Sequence, residues 1–293
     1  MKRDITELYL FVDDFSKAAD QYFQSRHLSN RQACHPTRVP ELSIGEVLTI
    51  LLLFHQSPCK NFKYFYKGYL AIFYREEFPK LCSYQRFIEL KPRALPYLTL
   101  LLHWFCEHSY KTGVSFVDAT SLAVCHVRRI SVHKVFKGLA AIGKTTKGWF
   151  LGLKLHLIIN EKGQIQGVQL SAGNVDDRTP VPELTKRLKG LLFADKGYIS
   201  QSLFNSLFEK GLKLVTGIKK NMKNKRMSLK EKMLLGKRSL IETVFDLLKN
   251  KFQIEHTRHR SPLNALVHIL STLTAYSLKP TKPHIKFNNL IPN

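Results

Sequence analysis

The spacing of hydrophobic and polar residues changes from a helical period to a strand period near Gly113. Before this glycine, the apolar runs at 47–54 and 98–105 have the length of buried helix segments. Ser43 and Glu46 have capping-box spacing just ahead of the first run. The pattern therefore predicts that the chain before Gly113 is entirely helical.

Beyond this point, strands and helices alternate. Period-two alternation and short buried runs predict five strands, at residues 114–124, 149–160, 164–171, 190–194 and 212–218. Helical spacing predicts two helices between the later strands, at 182–188 and 201–210. Three strands followed by alternating helices and strands predict an α/β fold, in which helices flank a mixed five-stranded sheet.

A final amphipathic helix is predicted over residues 237–250, with a wide apolar face and a narrow charged stripe. The stripe contains Arg238, Glu242, Asp246 and Lys249, so that a carboxylate lies between two cations. Charges three or four residues apart are common as ion pairs on exposed helices. By itself, the stripe is therefore more typical of a solvated surface than of a functional site.

The charge balance indicates a polyanionic partner. The chain has 46 Lys and Arg against 22 Asp and Glu, a formal net charge of +24. This excess favours nucleic acid, with an anionic membrane surface as second choice. The apolar runs are shorter than the roughly 20 residues of a membrane span, and the charged N-terminus lacks a signal-peptide pattern. We therefore expect a cytoplasmic protein that binds double-stranded DNA and has no membrane partner.

Three acidic residues occur where a neutral core would be easier to build. Asp118 interrupts the first predicted strand, Asp195 follows the short buried strand, and Glu242 lies on the last helix. Ligand crevices form beyond the carboxyl ends of strands in such sheets, so these side chains are expected to converge. Converging carboxylates raise one another's pKa unless divalent cations neutralise them, and Mg²⁺ is the natural occupant. Taken singly, each acid is more often a turn or cap residue.

Other polar residues are weaker candidates for the same site. Asp176 and Asp177 lie beside a turn, where an aspartate commonly caps the next helix. His156 alternates into a strand as a core histidine does, and His126 and His133 flank a basic loop. A catalytic role for these five residues stays open at a lower rank.

The motifs around the three acids resemble those of the DDE transposases of bacterial insertion sequences. The chain has FVDAT around Asp118, FADKGY around Asp195 and ETVFDLLK around Glu242, in that order. Arg238 and Lys249 complete the R-x3-E-x6-K pattern around the glutamate of that family. Further similar segments, among them GWFLGLKLHLIIN, GNVDDRTPVPEL and IEHTRHRSP, extend the resemblance over nearly the whole chain.

The resemblance implies a ribonuclease-H-like catalytic domain over residues 113–280. A helical domain for DNA binding or oligomerisation would precede it at 1–112, and a tail would follow at 281–293. One position departs from the family pattern, because a tyrosine often lies three residues before the arginine and this chain has Leu235 there. No role of that tyrosine is carried over.

The resemblance also implies residue roles and an activity. Asp118, Asp195 and Glu242 would hold two Mg²⁺ ions, for which Mn²⁺ could substitute, while Arg238 and Lys249 would contact DNA phosphates. The implied protein binds the terminal inverted repeats of an insertion sequence, hydrolyses phosphodiester bonds at the ends and joins the 3′ ends to target DNA. We expect a homodimer or larger assembly on DNA, associated with a bacterial nucleoid.

Further basic residues are predicted to contact DNA, although a solvated surface fits them nearly as well. They are Arg128, Arg129, Lys134, Lys137, Lys219, Lys220, Lys223, Arg258 and Arg260. The aromatic and basic segment at 60–74 fits core packing better than base stacking. Two other functions stay open: a structure-selective nuclease or resolvase on the same fold, and a transposase relic that binds DNA without catalysis.

Overall fold

The computed structural model describes residues 4–26, 41–146, 148–218 and 227–285. These residues form two compact units. The first unit contains the described residues up to Trp104, together with Lys251–Ile254 and Arg260–Leu278. The second contains Phe105–Asn250, Glu255–His259 and the described residues from Lys279 onwards, apart from the gaps given above. The predicted domain limits at 112/113 and 280/281 stay predictions.

The elements have the following bounds. The helices are α1 (Ile5–Ser25), α2 (Ile44–Gln56), α3 (Phe62–Tyr64), α4 (Ala71–Phe73), α5 (Tyr84–Leu90), α6 (Leu95–Glu107), α7 (Val181–Leu184), α8 (Gln201–Glu209), α9 (Leu229–Gly236), α10 (Ser239–Asp246) and α11 (Pro262–Leu278). The strands are β1 (Val114–Ala123), β2 (Ala141–Thr145), β3 (Gly148–Asn160), β4 (Ile165–Ala172), β5 (Gly190–Ala194) and β6 (Leu212–Thr216). None of the described helices is long and apolar enough to cross a membrane.

The first unit is built around α2, which packs against α1 and α11. The predicted capping box is present, since Ser43 and Glu46 each accept a hydrogen bond from the other's backbone N–H. His55 on α2 is enclosed, with Nδ1 2.9 Å from the carbonyl oxygen of Phe252 and Nε2 2.9 Å from Ser271 Oγ. Burial lowers the pKa of His55 to about 3, so this histidine is a neutral core residue.

The aromatic segment at 60–74 contributes in part to the core of this unit. A π-helix over Phe65–Leu70 joins α3 to α4, and Phe65 and Tyr66 are buried. Tyr64 and Phe73 are exposed. Core packing therefore accounts for part of the segment, as the helical spacing of its aromatic residues indicates.

The second unit contains the predicted mixed sheet, with strand order β2-β3-β1-β5-β6 and β4 paired with β3. β5 is parallel to both β1 and β6, while β3 is antiparallel to β1, β2 and β4. The fold class is confirmed, but the predicted number of five strands is wrong, because the described residues form six. β2 was missed because its sequence lacks a buried apolar face: Ile142 points outward and the buried position is Gly143.

The predicted helix at 237–250 is present as α10, which continues as a π-helix over Leu247–Lys251. The predicted apolar face is buried, with Ile241, Val244 and Leu248 fully inaccessible to solvent. α10 packs against β1, which carries the first candidate acid.

Candidate active site

Parallel pairing of β1 with β5 brings the two strand aspartates to adjacent positions. The ladder runs as far as Phe116 opposite Phe193, and Asp118 and Asp195 each lie two residues further on. The rings of Phe116 and Phe193 are both fully buried and stack with centroids 5.4 Å apart. Asp195 caps the 3-10 turn at Lys196–Tyr198 and accepts a hydrogen bond from the Lys196 N–H. Both carboxylates therefore lie just beyond this stacked pair of phenylalanine rings, which we call the phenylalanine stack.

Arg238 connects Asp118 to the third candidate. Its guanidinium nitrogens lie 3.4 Å from Asp118 Oδ2 and 2.7 Å from Glu242 Oε1. The Asp118 side chain is 21% exposed, whereas that of Glu242 is 54% exposed. The charged stripe of α10 is therefore neither a free surface nor a simple helical ion pair, because its arginine also binds an acid of the sheet.

The electrostatics of Asp118 connect all three acids. Its pKa is raised from 3.8 to about 6, chiefly by burial and further by the charges of Asp195 and Glu242. The N–H of Ala119, 2.8 Å from Oδ1, and the Arg238 guanidinium oppose this shift. The three carboxylates are thus close enough for their charges to interact, and Arg238 supplies part of the balancing positive charge.

The three acids suit a hard divalent cation by donor type, not by their arrangement in the described part of the structure. The three carboxylates offer only oxygen ligands, which Mg²⁺ and Mn²⁺ prefer, and their mutual repulsion favours a cation among them. Within the described ranges, no three or more His, Cys, Asp or Glu side chains are arranged to hold a metal ion. A bound cation would supply positive charge of the kind that Arg238 supplies here.

Lys249 is engaged within the protein. Its ammonium group donates a hydrogen bond to the carbonyl oxygen of Ser121 at 2.8 Å and lies 3.3 Å from Glu255 Oε2. Glu255 in turn accepts a hydrogen bond from the Ala123 N–H. These contacts tie the segment after α10 to the end of β1, so Lys249 helps to hold α10 beside the sheet.

The other residues that are predicted to contact DNA are separated from the three acids in the sequence. Among them, Arg128, Arg129, Lys134, Lys137, Arg258 and Arg260 are exposed. Lys219, Lys220 and Lys223 lie outside the described residues. Their roles stay predictions.

The lower-ranked candidates have structural partners. Asp176 pairs with Arg178 at 2.6 Å, and this contact lowers the pKa of Asp176. Asp177 pairs with Lys154 at 2.9 Å, and His156 Nε2 lies 2.8 Å from a serine hydroxyl in β4. His126 accepts a hydrogen bond from the backbone N–H of the second residue after it, and His133 stacks on Phe136.

Tyr198 is a residue that the sequence motifs did not single out. It is buried, and its hydroxyl has no hydrogen-bond partner among the described residues. Burial and the charges of Asp118, Asp177 and Asp195 raise its pKa. Its position three residues after Asp195 was the only available signal. The structure therefore adds an unpartnered phenol close to the acids.

Replacing Tyr198 with phenylalanine is expected to raise the free energy of unfolding by about 1–2 kcal/mol, because an unsatisfied buried hydroxyl is removed. Urea unfolding measures this change. Tyr66→Phe is the matched control with the opposite sign, since the buried Tyr66 hydroxyl donates to the Cys82 carbonyl at 2.7 Å. A loss of stability in Tyr198→Phe as large as in the control would show that the hydroxyl is satisfied.

The mixed sheet with flanking helices and acids at neighbouring strand ends defines a ribonuclease-H-like fold. Residues 108–262 match the family described as Transposase DDE domain, and because the match covers more than half of the chain, the protein belongs to this family. No curated protein matches the chain.

One of two solved structures similar to this chain supports the fold. The piggyBac transposase synaptic complex with hairpin DNA has a TM-score of 0.52 and 10% identity, and the alignment covers 93% of this chain and 72% of that one. The Mos1 strand transfer complex has a TM-score of 0.25 and 11% identity, with coverage of 89% and 85%. The first similarity supports the fold and leaves residue roles to be argued from this chain.

Proposed function

We propose that this chain is a transposase that binds the terminal inverted repeats of an insertion sequence, hydrolyses phosphodiester bonds at the ends and joins the 3′ ends to target DNA. One observation carries the proposal. In a chain of the DDE family, Arg238 contacts Asp118 and Glu242, and Asp195 lies at the end of the neighbouring strand.

The proposed chemistry assigns distinct tasks to these residues. Asp118, Asp195 and Glu242 would hold divalent metal, Mg²⁺ by preference. Bound there, divalent ions would supply activation of the attacking water or 3′ hydroxyl and stabilisation of the leaving oxygen. Asp118 must lose its proton to bind a cation, and its pKa is raised to about 6, so cation binding is expected to weaken as the pH falls below about 6. Arg238 holds Asp118 and Glu242 together before metal and DNA bind.

DNA is the proposed partner. The net charge of +24 favours a polyanion, and exposed cations after β1 and after α10 are available for phosphates. Two ends must be handled together in strand joining, so we propose a homodimer or larger assembly on DNA. The helical N-terminal region would then bind DNA or a second copy of the chain. The proposed location is the bacterial cytoplasm, where the nucleoid is accessible.

Strand joining is the reaction that separates a transposase from a nuclease. We expect the full chain, given Mg²⁺ and a pre-cleaved oligonucleotide duplex of its own element's end, to join the 3′ hydroxyl to a supercoiled plasmid. Gel electrophoresis of labelled duplex detects the product, and Glu242→Gln should abolish it. Cleavage of an intact end without any joining would instead indicate a nuclease, and binding without either reaction would indicate a relic.

A further inference from the structure

The hairpin formed by β2 and β3 exposes an unusual set of side chains. Lys144 and Trp149 are directly opposite in the ladder, and the Lys144 ammonium lies 5.4 Å from the centroid of the Trp149 ring. Trp149 is 58% exposed and Ile142, next along the same face, is 49% exposed. A tryptophan held beside a cation on an exposed face is well suited to contact a ligand.

The hairpin and the segment that leads into it carry only basic charges. The sequence contains no acidic residue between Asp118 and Glu161. Arg128, Arg129 and Lys137 of the preceding loop are exposed, as Lys144 is. The same face of a second copy would meet like charges, whereas a nucleic acid would find both phosphate contacts and an aromatic surface. Charge complementarity therefore favours DNA over self-association.

The distance between the hairpin and the candidate acids can be measured along β3. Asp118 is opposite Leu157 in the ladder, and Trp149 lies eight residues before Leu157 on β3. At ~3.3 Å per residue this is at most roughly 26 Å along the strand. DNA lying along β3 would therefore meet Trp149 within ~8 base pairs of the acids, at 3.4 Å per base pair.

We propose that the face formed by Ile142, Lys144 and Trp149 is a DNA-binding site, in which the Trp149 indole stacks on an unpaired base. This inference rests on the proposed function, since a transposase produces broken ends whose bases can leave the helix. Bases inside an intact duplex cover one another's π-faces, so an indole finds a stacking surface only where a base is unpaired or unstacked. Lys144 would hold the indole and add a phosphate contact.

Binding by Trp149 can be followed through its own fluorescence. The chain has only two tryptophans, so the difference in emission between the unaltered chain and Trp149→Phe isolates this signal. The probes are an oligonucleotide duplex with a short single-stranded gap and the same duplex without the gap. We expect the gapped duplex to quench the Trp149 emission strongly and the intact duplex to quench it weakly.

Affinity measurements complete the test. Trp149→Ala should weaken binding of the gapped duplex roughly tenfold, because it removes the stacking of a base on an aromatic ring. Binding of the intact duplex should change little. The control Lys137→Gln should weaken both duplexes equally, since it removes only a charge.

Three results would overturn the inference: absence of quenching by the gapped duplex, equal loss of affinity for both duplexes in Trp149→Ala, or shielding of Trp149 that grows with protein concentration without DNA. The last would identify an interface between copies. The assay needs neither metal nor catalysis, so a failure of strand joining leaves its outcome readable.

Discussion

Replacement of Asp118 by asparagine is expected to reduce Mg²⁺-dependent DNA strand cleavage by roughly 10³-fold or more, because it removes a ligand of the proposed metal site, whose stabilisation of the reaction is worth several kcal/mol. DNA affinity should change little, since the residue is mostly buried and is not a cation. Gel assays of cleavage and of binding, made on the same preparation, separate the two effects.

The same substitution is expected to make the protein more stable at neutral pH. The pKa of Asp118 is raised from 3.8 to about 6 on folding, so the folded chain binds more protons than the unfolded chain between these pH values. Stability therefore falls as pH rises through this window and stays lower above it, by up to roughly 3 kcal/mol. Asparagine carries no charge. The free energy of unfolding of Asp118→Asn should therefore be about 1–3 kcal/mol higher than that of the unaltered chain at pH 7, and it should lack this pH dependence.

Asp246→Asn provides the control, because Asp246 is an exposed acid on α10, the helix that carries Glu242, and bonds only to the nearby Asn250 among the described residues. It should retain cleavage and change stability by less than about 0.5 kcal/mol. Cleavage by Asp118→Asn at the level of the control would remove Asp118 from the site. A loss of stability at pH 7 would contradict the assignment of its pKa shift to burial.

The second large effect is expected on stability, from the phenylalanine stack that precedes the two aspartates. Phe193 is fully buried and stacks on Phe116, so Phe193→Ala is expected to lower the free energy of unfolding by about 3–5 kcal/mol. Because Asp195 follows two residues later, cleavage should also fall under conditions where the variant stays folded. Urea unfolding measures the first effect and a cleavage assay at low temperature the second.

Phe208→Ala is the matched control, since Phe208 is 60% exposed on α8. The free energy of unfolding should fall by less than about 1 kcal/mol in this variant, as for most surface substitutions. Equal losses in the two variants would mean that the Phe116 and Phe193 stack contributes little to the unit.

Local sequence pattern was sufficient for the main strands and for the buried face of α10, because burial imposes period-two or helical spacing on apolar residues. Asp118 and Asp195 were recognisable since each lies in or after a strongly apolar strand. Their adjacency depends on parallel pairing between β1 and β5, which no local pattern specifies. The double contact of Arg238 likewise depends on how α10 packs on β1.

Other features had no usable signal in sequence. β2 has a glycine at its buried position, so it lacks the apolar alternation that predicts a strand. The resemblance to the DDE family implied a DNA contact for Lys249, whereas its bonds to Ser121 and Glu255 depend on residues distant from the motif.

The central claim is that Asp118, Asp195 and Glu242 hold the same metal ions. Fe²⁺ in place of Mg²⁺, with ascorbate and peroxide, generates radicals that cut the polypeptide close to the bound ion, and mass spectrometry locates the cuts. We expect cuts near residues 118, 195 and 242 together, suppressed by excess Mg²⁺ and lost throughout in Asp118→Asn. Cuts near only one of these residues, or a pattern unchanged in Asp118→Asn, would contradict a shared metal site.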